Sequence, residues 1–231
     1  YKVADIRPQV SGIIIERSFV EGGNVEQGQQ LYQIDPATYE AAYESAKADL
    51  QRANANVKSV RSRAKRYAEL VEIQAVSQQE YDDIKASLAQ AEADIAVAQA
   101  NVTQAKINLD YTKVYAPISG RIGKSAVTEG ALVTANQEQS LTKITQLDPI
   151  YVDMTQSSTE LIGLRRQMGG MEEMPVTLRL EDGTLYEQQG ALQFSDITVD
   201  ETTGSVQLRA LFTNPDRLLL PGMFVSTSVH L

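Results

Sequence analysis

The segment Ser11–Val25, SGIIIERSFVEGGNV, returns as Ser119–Val133, SGRIGKSAVTEGALV, with six of fifteen positions identical at a constant offset of 108. Self-similarity held in one register over that length marks two copies of one supersecondary unit, because shared turn chemistry alone seldom keeps a fixed offset. Each copy is preceded by a proline, opens on Ser-Gly, crosses a short β-rich segment and reaches Glu-Gly at a second turn. Glycine at Gly12, Gly22, Gly28, Gly120 and Gly130 suits corners where short antiparallel strands need a positive φ or a close backbone approach. The chain must therefore build two β-rich half-units and bring them together across whatever separates them.

What separates them is helical. From Tyr39 the apolar residues fall at Tyr39, Tyr43, Ala46, Leu50, Ala53, Val57, Val60, Ala64, Tyr67 and Val71. From Tyr81 they fall at Tyr81, Ile84, Leu88, Ala91, Ile95, Ala98, Val102, Ala105 and Leu109, with Thr112 as a less apolar last member. Steps of four and three sustained over more than four heptads in each arm predict coiled-coil helices. Neither arm contains Gly, and the only Pro is Pro36, which suits the first helical position after an Asp35 N-cap. The arms meet at IQAVSQQE, where Ser77 and Glu80 have capping-box spacing. A break this short forces the arms antiparallel, and about 36 residues at ~1.5 Å each give a rod about 50 Å long.

Beyond the second half-unit, LDPIYVDMTQ and the alternating runs Val206–Phe212 and Met223–Val229 predict a small antiparallel β-barrel. Ser157 with Glu160 repeats the capping-box spacing and predicts one short helix to about Met168. In MGGMEEM, Met168, Met171 and Met174 could offer thioether ligands to Cu(I) or serve only as apolar filler.

Composition removes several classes of function. There is no cysteine, and the single histidine is His230, next to the last residue, so thiolate and imidazole chemistry have nothing to work with. A formal charge of −9 disfavours nucleic acid as a partner. Nothing resembles a nucleotide-binding motif or an active site, so the reading is of a protein that is not an enzyme. No apolar run approaches the ~20 residues that span a bilayer. The chain starts at Tyr1 and enters strand-like sequence almost at once, as a fragment of a longer protein does.

The two half-motifs resemble the lipoyl/biotinyl domain. In that family the modified lysine lies on the hairpin joining the halves, just after positions matched here by Leu31, Ile34 and Asp35. This sequence continues PATYE, and the next lysine, Lys47, already lies in helical pattern, so no cofactor is expected. Over its whole length, through RPQVSGII, LYQIDPATYE, YTKVYAPISGRIGKSAVTEGALV, QLDPIYVDMTQSS, FSDITVDETTGSV and LLPGMFV, the chain resembles the periplasmic adaptors, or membrane fusion proteins, of RND-type tripartite efflux pumps of the MexA and AcrA type.

The resemblance implies an elongated α+β multidomain protein. A lipoyl-like domain comes from residues 1–35 and 113–147, a coiled-coil hairpin from 36–112 and a β-barrel from 148–231, with the membrane-proximal domain outside the chain. It implies a periplasmic location with a lipid anchor to the inner membrane in the full-length protein. The implied partners are an inner-membrane RND transporter, an outer-membrane channel of TolC type, and further copies in a ring of three to six. Near the tip the family uses an Arg, a Leu and a Ser against the channel, matched in RYAELVEIQAVS by Arg66, Leu70 and Ser77. Arg66 and Leu70, as i and i+4, share one face beside the seam, while Ser77 also has the N-cap role. An adaptor for an ABC-type exporter or a copper pump, a biotin or lipoate carrier, and a purely structural coiled coil are the rival readings.

Overall fold

The computed structural model describes residues 2–157, 174–193 and 204–229. The first half-unit supplies β1 (Val3–Ile6), β2 (Gly12–Arg17), β3 (Asn24–Val25) and β4 (Gln30–Ile34), and the second supplies β5 (Lys113–Tyr115), β6 (Gly120–Ile122), β7 (Leu132–Val133) and β8 (Thr142–Thr145). Neither half forms a sheet of its own. One four-stranded sheet runs β1-β8-β6-β3 and the other β5-β4-β2-β7, so exchanging the halves strand for strand turns one order into the other. Buried side chains from both halves, among them Ile14, Leu31, Tyr32, Ile34, Ile122, Val133, Leu141 and Ile144, form a single core.

The hydrogen bonds repeat the exchange. Ile14 N–H donates to Ala131 O (2.9 Å) and Gly130 N–H to Ile14 O (2.7 Å); in the other half Ile122 N–H donates to Gly23 O and Gly22 N–H to Ile122 O, both at 3.0 Å. The Ser-Gly signature has the same origin. The Ser11 hydroxyl accepts from Ala135 N–H and the Ser119 hydroxyl from Gln27 N–H, each binding the opposite half. The glycine after each serine leaves room: a Cβ at Gly12 would lie 2.6 Å from Ile34 Cγ2, and one at Gly120 would lie 2.5 Å from Thr145 O. Gly22 and Gly130 meet the second requirement of such corners, with φ of 72° and 86°.

The helices α1 (Ala37–Glu72) and α2 (Gln78–Asp110) leave β4 and return to β5, which are paired neighbours. Ile34 N–H donates to Thr112 O at 2.7 Å, closing the loop at its root. Every residue of the two predicted seams is buried or half-buried, and off the seams only Lys47, Ala68, Leu70 and Asn108 of the helices are covered to that degree. The Arg61–Glu92 ion pair (2.8 Å) spans the two arms at the exposed flank of the seam.

The start of α1 differs from the sequence expectation by one position. Pro36, with φ −85° and ψ −10°, occupies the cap. The Asp35 backbone still belongs to the β-unit, its N–H donating to Ile13 O, while its carboxylate accepts from Ala37 N–H at 3.0 Å. Asp35 thus supplies the capping oxygen, but the sheet holds it out of the helix.

The remaining strands, β9 (Ile150–Ser157), β10 (Met174–Arg179), β11 (Gly190–Gln193), β12 (Ser205–Phe212) and β13 (Ser226–Val229), form one sheet in the order β13-β10-β11-β12-β9. Its edges come together where the Thr227 hydroxyl lies 3.7 Å from Met154 Sδ, giving a nearly closed barrel. Val206, Leu208, Ala210 and Phe212 alternate into its core as the pattern predicts. The predicted helix to Met168 and the methionines Met168 and Met171 lie outside the described residues, as does the side chain of Met174, whose backbone opens β10.

Gly120→Ala forces a methyl group onto the Thr145 carbonyl and is expected to cost about 1–3 kcal/mol. Gly130→Ala, in open space but at positive φ, is expected to cost about 1–2 kcal/mol. Urea titrations of the β1–β8 unit followed by tyrosine fluorescence check both, as lower midpoints at unchanged slope.

Candidate functional site: the hairpin tip

The tip begins where α1 is stopped without a glycine. Gln74 takes φ of 57°, the left-handed region. Gln74 N–H donates to Val71 O (3.1 Å) and Ala75 N–H to Leu70 O (2.9 Å), the two bonds of a Schellman motif. Leu70 is therefore part of the stop: its carbonyl anchors the turn while its side chain is half-buried beside the seam. The new helix starts from Ser77, whose backbone is extended and whose hydroxyl accepts from Glu80 N–H at 3.2 Å. In return the Glu80 carboxylate accepts from the Ser77 N–H (2.8 Å) and hydroxyl (2.9 Å), completing the capping box. Hydrogen bonds from the Ser77 backbone and then its hydroxyl hold the Glu80 carboxyl below its ordinary range.

These two locks leave a short apex. Ile73, at 73% exposure, is its most open apolar side chain, and Val76 is half-buried. Arg66 is exposed and makes no ion pair among the described residues, so its guanidinium fork is free to meet carbonyls or carboxylates from outside. Of the three residues singled out in the sequence, Arg66 stands open on the flank, Leu70 is half-buried in the turn, and Ser77 is committed to the cap. Ile73 and Gln74 were not singled out: Ile73 falls off the heptad, and a glutamine in the left-handed region carries no signal like that of glycine.

The root holds the tip in direction. The Tyr39 hydroxyl of α1 donates to Ser11 O at 2.7 Å. On the α2 side the fully buried Thr112 receives Gln33 Nε2–H at both its carbonyl (3.3 Å) and hydroxyl (3.2 Å). Both arms are thus fastened to the first half of the β-unit, α1 through Ser11 and the end of α2 through Gln33.

This combination defines a class. Residues 2–145 match the family model described as RND MFP, barrel-sandwich hybrid domain, and residues 149–231 match RND MFPs, beta-barrel domain. The chain belongs to the membrane fusion proteins of the RND type. It is 56% identical over 97% of its length to the antibiotic efflux pump periplasmic linker protein ArpA of Pseudomonas putida, covering 59% of that protein. It is 52% identical, again over 97% of its length, to the multidrug efflux pump subunit AcrA of Escherichia coli, covering 58% of it. The chain thus spans less than two thirds of the length of the curated relatives it matches. Among solved structures it superposes on a MacA–MexA chimera carrying the Pseudomonas aeruginosa MexA α-hairpin domain with a TM-score of 0.66 and 30% identity, over 99% of this chain and 74% of that one.

Two outcomes at the tip are expected. Gln74→Gly relieves the left-handed strain against a smaller entropic cost and raises tip stability by roughly 0.5–1 kcal/mol, read by hydrogen exchange at Ala75. The Glu80 carboxyl is lowered on folding, so its contribution is present above the ordinary value of about 4.3 and is lost as pH falls through the lowered value. The Ser77 amide shift in an NMR titration is therefore flat from about pH 7 to 5 and moves only below the ordinary glutamate value.

Proposed function

We propose that this chain is the greater part of the adaptor subunit of a tripartite efflux pump. It bridges an inner-membrane RND transporter and an outer-membrane channel of TolC type for the export of drugs and other toxic compounds. The β-unit of 1–35 and 113–147 and the barrel of 148–231 serve as modules around the transporter, and the hairpin of 36–112 reaches the channel. The full-length protein works in the periplasm, attached to the inner membrane, with several copies in a ring of three to six. It does no chemistry of its own, and the transporter supplies the energy.

The observation that carries this reading is the hairpin itself. Two glycine-free helices of 36 and 33 residues rise from between two paired strands and end in a locked apex with an exposed arginine, unpaired among the described residues, and an open isoleucine. A structure built only to be stable gains little from so thin and long a projection, whereas one built to reach another protein needs it. The family and the names of the relatives point the same way. Both of these relatives are named for efflux, one of antibiotics and one of many drugs, and the match to RND-type models disfavours a partner of the ABC type. Arg66 with Leu70, joined by Ile73, forms the contact set for the channel, while Ser77 contributes by fixing the turn from which they project.

In a strain lacking the native adaptor, full-length protein carrying Arg66→Glu with Leu70→Ser is expected to lose efflux while its helical circular dichroism and its periplasmic level stay unchanged. Export at the wild-type level overturns the assignment of the tip. A photo-crosslinker at Ser77 is expected to capture the outer-membrane channel.

A further inference from the structure

A short stretch of chain joins the β-unit to the barrel. Gln146 is still tied to the β-unit, its N–H donating to Lys2 O at 2.8 Å, and Ile150 already lies in the barrel core. Only Leu147, Asp148 and Pro149 stand between them. Among the described residues, no hydrogen bond or ion pair runs directly from 2–146 to 150–229. Packing leaves the joint open as well. A cleft of about 680 Å3 lies between Ile122, Lys124 and Lys143 of the β-unit and Leu220 and Pro221 of the barrel, so the two faces are not pressed together there.

Asn214 spans this joint. It is fully buried, and each of its polar groups is in use. Its Nδ2 donates to Leu147 O on the linker and to Leu219 O on the barrel, both at 2.9 Å. Its Oδ1 accepts from Leu219 N–H (3.2 Å) and from the Tyr186 hydroxyl (3.3 Å), and the Tyr186 ring stands edge-on to the buried Phe212. Its backbone N–H donates to the Asp148 carboxylate at 2.8 Å, while its carbonyl accepts from Arg217 N–H at 3.0 Å. A primary amide on a short stem supplies two donors and an acceptor at once, and this position uses all three. One set of bonds fixes Asn214 in the barrel and the other grips the linker that β1 holds.

We infer that, given the adaptor reading above, Asn214 with Asp148 is the positioning clamp that sets how the barrel stands on the β-unit, and that efflux depends on the angle it holds. Releasing the clamp leaves a buried amide or carbonyl without its partner, a costly state that favours the closed setting over others. The hairpin is rooted in the β-unit, so the same angle fixes the direction of the hairpin relative to whatever the barrel rests on. Asn214 and Asp148 act on export only through that geometry.

The test uses the full-length protein with spin labels at Gln27→Cys in the β-unit and Gln207→Cys in the barrel, both exposed and in a region that has no cysteine of its own. The label-to-label distance distribution is expected to show one narrow peak. Asp148→Ala removes a charge-assisted hydrogen bond from the exposed side of the joint, and it is expected to raise the population outside that peak at least about tenfold. Its thermal melting curve stays as in the wild type, because the bonds within the barrel are untouched. Asn214→Asp, which sets a carboxylate against Leu147 O, is expected to broaden the peak likewise, whereas Asp148→Asn keeps an acceptor and the narrow peak. Efflux in a strain lacking the native adaptor falls in the two broadened variants and not in Asp148→Asn. An unchanged distribution in both Asp148→Ala and Asn214→Asp, or a broadened one with wild-type efflux, overturns the inference. Loss of efflux by the tip variant alongside unchanged distributions sinks the clamp alone; wild-type efflux by the tip variant sinks the adaptor reading beneath it.

Discussion

Two strands distant in sequence must stay side by side. The pairing of β4 with β5, sealed by Ile34 N–H on Thr112 O at 2.7 Å, is the constraint on which the other features depend. It completes the second sheet of the β-unit, so the core cannot close without it. It also sets the exit and return of the chain close together, and only an insertion whose ends are adjacent can be accommodated there. An antiparallel helical pair is the simplest such insertion, because its length can grow without moving its ends.

The exchange of strands between half-units gives that pairing a stable platform. Each sheet contains two strands from each half, so neither half has a complete sheet or a sealed core by itself. The seam of the hairpin, by contrast, is thin: only Val57 and Ala64 of α1 are fully buried, with the rest of its seam half-covered. Stability is concentrated at the root and direction is enforced there, through Tyr39 on Ser11 and Gln33 on Thr112. At the other end of the β-unit the joint to the barrel is also pinned by a buried polar side chain. Asn214 Nδ2 donates to Leu147 O and Leu219 O at 2.9 Å and its backbone N–H donates to the Asp148 carboxylate at 2.8 Å, so the segment between the two units is held by side-chain bonds.

Features that depend on periodicity were legible in the sequence. The seam positions were readable residue by residue because a heptad over two long arms leaves no competing face, and the two half-units announced themselves as a repeat, though their exchange of strands between sheets did not. The Ser77–Glu80 box was equally plain, since both partners sit at a fixed local spacing. Features that depend on tertiary context were not. Asp35 is a good capping residue by type, yet the sheet claims its backbone and shifts the helix start. Asn214 reads as an ordinary turn residue in NPDR, and nothing local reveals that carbonyls of the linker and of Leu219 converge on it. At the apex, Gln74 adopts a backbone that glycine normally signals, and Ile73 becomes prominent only because the turn lifts it clear of the seam.

The length of the arm has a mechanical consequence. Over about 50 Å of helix, one degree of tilt at the root displaces the apex by roughly 0.9 Å, a large part of the tolerance of a hydrogen bond. The Tyr39 and Thr112 anchors therefore act as an aiming device, and strain applied to the compact base is converted into sideways travel where Arg66 and Ile73 sit. A lever of this kind turns sub-ångström rearrangements at the base into displacements of about an ångström at the apex.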